Sequence, residues 1–240
     1  MENKTFDEWF NNSDIKQIEN DKKPQRRLIP LDDSFMKDKK THDKVWSFLQ
    51  INSYKTADGK RFVYKTTETN ANSIHKAIAR KVINSKGKET YDISLMTVRN
   101  TLKLYEKLGL IYNETIRDLY NKEVEVIVLS QKFDFYTLIP IETLKYLVDT
   151  ANENVIKVYA YLLNKFQYKQ KENDRYTFNL SELCAAVGYS AKSENTATMR
   201  NILKSLQNNH LISYEESYFI TEDKTPIPIH ILFNVSLYTN

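Results

Sequence analysis

Glycine and cysteine are scarce in this chain: four Gly and one Cys among 240 residues. The glycines (Gly59, Gly87, Gly109 and Gly188) are scattered, so neither G-x-G-x-x-G nor G-x-x-x-x-G-K-[ST] occurs. A phosphate-cradling loop needs clustered glycines to let backbone N–H groups approach the anion, so Rossmann and P-loop chemistry are excluded. A single cysteine rules out an internal disulfide and a Cys-rich zinc site. Cys184 sits in the apolar run Leu183-Cys184-Ala185-Ala186-Val187 and reads as a buried structural thiol. The four histidines, His42, His75, His210 and His230, form neither H-E-x-x-H nor a His-hydrophobic-His pair. No metal and no cofactor is therefore expected. The adjacent carboxylates Asp32-Asp33 and Glu215-Glu216 have no companion His in the sequence and read as solvated surface, so no enzyme is expected. Long apolar runs are also missing. No stretch approaches the roughly 18–20 residues of a membrane helix. Met1–Phe10 is polar and acidic, unlike a signal peptide. The expectation is a cytoplasmic protein with no membrane partner.

Hydrophobic residues make up 41% and charged residues 28%, enough apolar material for a packed core. The net charge of +4 is unevenly spread. Residues 1–35 carry 6 basic and 8 acidic groups, residues 36–135 carry 19 and 12, and residues 136–240 carry 10 and 11. The middle third, at +7, is the natural footprint for a polyanion.

The chain repeats itself at a spacing of 101 residues. Thr97–Ile111 reads TVRNTLKLYEKLGLI and Thr198–Ile212 reads TMRNILKSLQNNHLI, identical at seven of 15 positions. Upstream, VWSFL at 45–49 is echoed by VYAYL at 158–162, and KRFVY at 60–64 by DRYTF at 174–178. Two copies of one domain follow: an arm over 1–35, a basic domain over 36–135 and a second domain over 136–240. Each copy is expected to run helix (41–53; 152–168), strand (61–66; 175–179), helix (71–84; 181–187), helix (94–108; 194–208) and β-hairpin (110–116 with 123–130; 211–220 with 227–235). That order is an α+β fold of two tandem winged helix-turn-helix domains, mostly helical with β-hairpin wings. Phe135–Pro140 links the copies and reads as a strand opening the second. In the arm, Thr5–Phe10 reads as a short helix and Ile15–Pro30 as an extended segment.

The third helix of each copy has the character of a DNA-reading element. Ser94 is a good N-cap, and Leu95, Val98, Leu102 and Tyr105 recur at core spacing. The opposite face carries Met96, Thr97, Asn100, Lys103, Leu104 and Lys107, with Arg99 at its border and no carboxylate. Asn can pair bidentately with adenine, and Thr or Met can meet a thymine methyl. Arg99, Lys103 and Lys107 suit phosphates or guanine. The equivalent face of the second copy holds Ala197, Thr198, Asn201, Lys204, Ser205 and Asn208, with Arg200 at the border and Thr196 at the helix start. Gly109 is expected to cap the first helix in the left-handed conformation, and His210 takes that place in the second copy. Lys76, Arg80, Lys81, Lys86 and Lys88, on the second helix and the following turn, and Arg117 and Lys122, flanking the wing tip, fit phosphate contacts. The second wing tip, Glu222-Asp223-Lys224, would be repelled by phosphate and is expected to face solvent or a protein.

The stretch Ser94-x-x-Thr97-Val98-Arg99-Asn100-x-Leu102, closed by Leu108-Gly109-Leu110-Ile111, resembles the reading helix of bacterial winged-helix regulators. Tyr136–Pro140, Val155–Leu163 and Ser193-Glu194-Asn195-Thr196-Ala197-Thr198 together resemble the N-terminal domain of plasmid replication initiators of low-GC Gram-positive bacteria and their DnaD-like relatives. That resemblance implies origin binding and recruitment of replication proteins. The C-terminal recruitment domain of such initiators is not expected here, because the sequence ends right after the second wing. Three functions stay open. The first is a sequence-specific double-stranded DNA-binding initiator of a plasmid or mobile element, its two helices suited to major-groove segments roughly 34 Å apart. The second is a transcriptional regulator or conjugation accessory factor. The third is a protein–protein adaptor. A homodimer is compatible with all three.

Overall fold

A computed structural model describes residues 25–37, 42–56, 58–66, 69–84, 86–118, 120–169 and 175–236. The helix expected at Thr5–Phe10 lies outside them. In chain order the elements are β1 (Arg26–Pro30), α1 (Asp33–Met36), α2 (Asp43–Ile51), β2 (Tyr54–Lys55), β3 (Arg61–Tyr64), α3 (Ala71–Ile78), β4 (Lys81–Ile83), β5 (Glu89–Tyr91), α4 (Leu95–Lys107), β6 (Ile111–Arg117) and β7 (Glu123–Leu129). They continue with β8 (Tyr136–Pro140), α5 (Ile141–Thr150), α6 (Glu153–Lys169), β9 (Tyr176–Phe178), α7 (Leu180–Ala186), α8 (Ser193–Asn208), β10 (Ile212–Ile220) and β11 (Pro226–Val235). This is an α+β fold with several small antiparallel sheets. Among the described residues no helix is long and apolar enough to cross a membrane.

The chain divides into two compact units, one built on Lys44–Phe133 and one on Leu28–Asp43 with the chain from Asp134 onward. Residues 28–35, expected in the arm, and residues 36–43, expected in the first domain, instead group with the second unit. Leu28–Asp43 is tied to the second unit by the Leu31 N–H donating to the Phe135 carbonyl and by Lys157 donating to the Met36 carbonyl, and Leu28, Ile29, Phe35 and Met36 are all buried. The end of the expected extended segment, Arg26–Pro30, is a strand, and β1 pairs with β8.

In the first unit, α2 contributes Val45, Trp46 and Leu49 to the core, α3 contributes Ile74 and Ile78, and α4 contributes Val98 and Tyr105. Trp46 meets Tyr105 edge to face, ring centroids 5.6 Å apart, a favoured aromatic geometry. The sheet runs β2-β3-β7-β6. The helix expected over 71–84 ends six residues early, at Ile78. Ala79 turns extended, and β4 and β5 form a small hairpin instead. Its turn is closed by Asn84, whose side-chain oxygen accepts the N–H groups of Lys86 and Lys88, with Gly87 at φ +71°.

In the second unit, Tyr159 and Leu162 of α6, Leu183 and Cys184 of α7, Met199 and Leu203 of α8 and Leu232 of β11 are buried together. The Cys184 thiol is pushed up by burial, as a structural thiol should be. The sheet order is β10-β11-β9. Helix α5, unread in the sequence, follows Pro140 directly and buries Leu144, Leu147 and Val148. Lys157 is almost fully buried, 3.1 Å from Glu153 and 3.5 Å from Asp43, and donates to the Met36 carbonyl at 3.2 Å. Its charge is balanced by the nearer Glu153, which also holds His42 at 2.6 Å. Burial then pushes the Asp43 carboxyl up to about 7, against the pull of Lys157.

Candidate nucleic-acid interface

Helix α4 begins as its sequence dictates. Ser94 Oγ accepts the Thr97 N–H at 3.0 Å, satisfying one of the orphan donors of the first turn. Val98, Thr101 and Tyr105 are buried, with Leu95 and Leu102 half-buried beside them. Met96, Arg99, Asn100, Lys103 and Lys107 are exposed and Thr97 is half-buried. Leu104, read as outward, is also half-buried. The only carboxylate on the helix, Glu106, is exposed near its C-terminal end. The helix closes with Gly109 at φ +67° and the Leu110 N–H donating to the Tyr105 carbonyl at 2.9 Å.

The same closure recurs 101 residues later. His210 stands at φ +56°, and the Leu211 N–H donates to the Leu206 carbonyl at 2.9 Å. Met199, Ile202, Leu203 and Leu206 are buried, while Ala197, Thr198, Asn201, Lys204, Ser205 and Asn208 are exposed, as their phase requires. Thr196 and Thr198 turn their hydroxyls onto the carbonyls of Ser193 and Glu194 at 2.9 Å. The hairpins that follow open alike, Ile111 opposite Leu129 and Ile212 opposite Val235, but the second has a register shift between Ser213 and Tyr214 that the first lacks.

Two partners were invisible in the sequence. Arg99 donates to the Asn72 side-chain oxygen on α3 at 3.1 Å, a neutral acceptor that leaves the guanidinium its charge. Arg200 instead faces Glu216 of β10, Nε to Oε1, at 3.5 Å. Glu216 also has the companion histidine its sequence context lacked: His230 stands opposite it across β10 and β11, Nε2 3.7 Å from Oε1. His230 is buried and stacks on Phe178, and burial holds it below the usual His range despite the nearby carboxylate. Asp32, the other paired carboxylate, is structural, accepting the Phe135 N–H at 2.9 Å.

The supporting cations are distributed differently from the expectation. Lys76 is on α3, but Lys81, Lys86 and Lys88 are on the β4–β5 hairpin; all four are exposed, and Lys81 pairs with Glu89. Arg80 is bound to Asp92, which accepts its backbone N–H at 2.8 Å and its Nε at 3.1 Å. Asp92 also takes Lys44 Nζ at 2.9 Å, and Lys44 donates to the Ile78 carbonyl at 2.8 Å. Burial would raise the Asp92 carboxyl, but these donors outweigh it and hold it below its ordinary range. This clamp stops α3 and aims the chain into α4. At the first wing tip Arg117 and Lys122 are both exposed, and Asp118 Oδ1 orders the turn by accepting the N–H groups of Tyr120 and Lys122.

Among the described residues no cluster of His, Cys, Asp and Glu could hold a metal. No protein-family model, no curated protein and no solved structure matches the chain.

Proposed function

We propose that this chain is a tandem winged-helix protein that binds double-stranded DNA sequence-specifically, and that it acts as an origin-binding replication initiator of a plasmid or mobile element. The observation that supports the reading is the outer face of α4. Met96, Arg99, Asn100 and Lys103 are exposed together on a helix that is rigidly capped and packed from behind. Asn supplies a bidentate base contact, the cations supply phosphate contacts, and Met supplies apolar contact to thymine. A helix followed by a hairpin with basic residues at its tip is the winged form of this device, and the second unit carries the same order with a weaker charge.

The test separates positioning from reading. Replacing Arg99 and Lys103 together with Ala weakens binding to every duplex and flattens the salt slope by about 2. Replacing Asn100 with Ala costs about 1–3 kcal/mol at one base position and little elsewhere. Unchanged affinity in the double variant sinks the assignment. A genome-wide footprint then separates the biology: iterated sites at an origin mark initiation, and a lone promoter site marks regulation.

A further inference from the structure

Three observations converge on the second wing. First, β10 is a nine-residue strand whose only partner among the described residues is β11, so its other edge presents a ladder of backbone groups to solvent. Second, the outer half of that wing is apolar and exposed: Tyr218 at 67%, Phe219 at 58%, Ile220 at 59% and Ile227 at 42%. Third, the first wing provides an internal control. Its edge strand β6 reads IYNETIR, ends on Arg117 and exposes Tyr112 as its one large apolar residue. The architecture therefore does not require the patch, and a long flat apolar edge is a liability unless something covers it.

We infer that the outer edge of β10 is the pairing surface for a second copy of this chain, forming an antiparallel β10–β10 ladder across a two-fold axis at Tyr218. The charges select this occupant. Glu215, Glu216, Glu222 and Asp223 surround the patch and repel a phosphate backbone. Pairing about Tyr218 sets Phe219 opposite Ser217 of the second copy, Ile220 opposite Glu216, and Thr221 opposite Glu215, so no carboxylate opposes another. A shift of one residue, to an axis at Phe219, would set Glu216 against Glu222 and Glu215 against Asp223, which like-charge repulsion disfavours. The other edge of the sheet is blocked. Pro226 and Pro228 have no N–H to offer, and β9 already covers His230–Leu232. The two copies of Tyr218 would stack directly across the axis, the cross-strand aromatic pairing that stabilises such ladders. This inference does not rest on DNA binding.

Sedimentation equilibrium of the full chain across a micromolar concentration series tests it. The expected result is association toward twice 28.3 kDa. Exchanging both Tyr218 and Ile220 for Glu, which sets like charges against each other on the axis and opposite Glu216, should weaken that association by about tenfold or more while leaving the far-UV circular dichroism unchanged. A second readout fixes the register. In Tyr218→Cys protein the paired Cβ atoms come within disulfide reach, so mild oxidation yields a covalent dimer, whereas Ser213→Cys protein forms no covalent dimer; the native Cys184 is buried and does not interfere. A monomeric wild-type chain overturns the inference. So does a dimer that survives the double Glu variant. A double variant that alters DNA affinity but not mass also overturns it, by moving the wing onto DNA.

Discussion

Arg200 and Glu216 form an ion pair, Nε to Oε1 3.5 Å, at the position where the first repeat rests its Arg99 on the neutral side chain of Asn72. One repeat thus keeps the full charge of its border arginine and the other offsets it. Both groups are substantially exposed, 42% for Arg200 and 51% for Glu216, so the pair contributes little to stability. Its effect is on the field that an approaching polyanion meets.

If α8 lies against DNA as proposed for α4, Glu216→Gln strengthens binding by about fivefold, roughly 1 kcal/mol, and steepens the salt slope by about 0.9. The residue one repeat earlier is Thr115, and Thr115→Glu should do the reverse to the first unit. Fluorescence anisotropy on one duplex at several salt concentrations measures both. Identical slopes in the wild type and both variants would remove Glu216 from the interface.

Gly109 and Gly188 both have positive φ, yet alanine at the two should behave differently. At Gly109, φ +67°, a Cβ meets nothing within 4 Å, so only the left-handed strain is felt, about 1–2 kcal/mol. His210 already accepts that strain in the second copy. At Gly188, φ +79°, a Cβ would stand 2.7 Å from the Lys37 carbonyl oxygen and 2.8 Å from its Cα. Backbone cannot yield as a side chain does, so Gly188→Ala should cost about 2–5 kcal/mol, strain and overpacking together. Denaturant unfolding ranks the two, and equal losses would contradict the close approach of Lys37.

These contrasts show where the sequence is legible. The bounds of α4 could be read from Ser94, the Val98–Tyr105 spacing and Gly109 because caps and periodicity are local. The repeat offset carried the same reading to α8 and His210. The end of α3 was not readable, since Val82 continues the apolar spacing of Ile74 and Ile78. What stops that helix is Asp92, a dozen residues on, taking the Arg80 N–H. Likewise nothing near Phe35 and Met36 shows that they are buried in the second unit. Glu216 is exposed, as read, but its partners, Arg200 and His230, were not legible because only strand register and helix docking bring them to it.

Asp43 predicts a pH dependence. Its folded pKa is raised to about 7, chiefly by burial, above its ordinary value. Between those values the folded chain keeps a proton that the unfolded chain releases. The stabilisation is therefore complete below the unfolded pKa, near 4, and is lost as pH rises toward 7. Asp43→Asn removes a titration while Lys157 keeps Glu153, so the variant should lose less stability than wild type between about pH 5 and about pH 8. Unfolding midpoints at both pH values decide it, and parallel changes would show that Asp43 is already ionised.

Asp92 has the opposite sign. Three donors converge on it: the Arg80 N–H, Arg80 Nε and the ammonium of Lys44, which is only 1% exposed. Its folded pKa is depressed, so its contribution is present above the unfolded pKa, near 4, and is lost as pH falls through the folded value. Asp92→Ala strips the carboxylate from a buried ammonium, and removing one partner of a buried pair costs about 3–5 kcal/mol. Lys44→Met in that background removes the stranded charge and should recover part of the loss, a coupling that a double-mutant cycle measures. Because Asp92 also fixes the backbone between α3 and α4, the single variant should weaken DNA binding in proportion to its instability, and the Met-rescued protein should regain both. Rescue of stability without rescue of binding would mean that Asp92 orients Arg80 and α4 directly, beyond holding the fold.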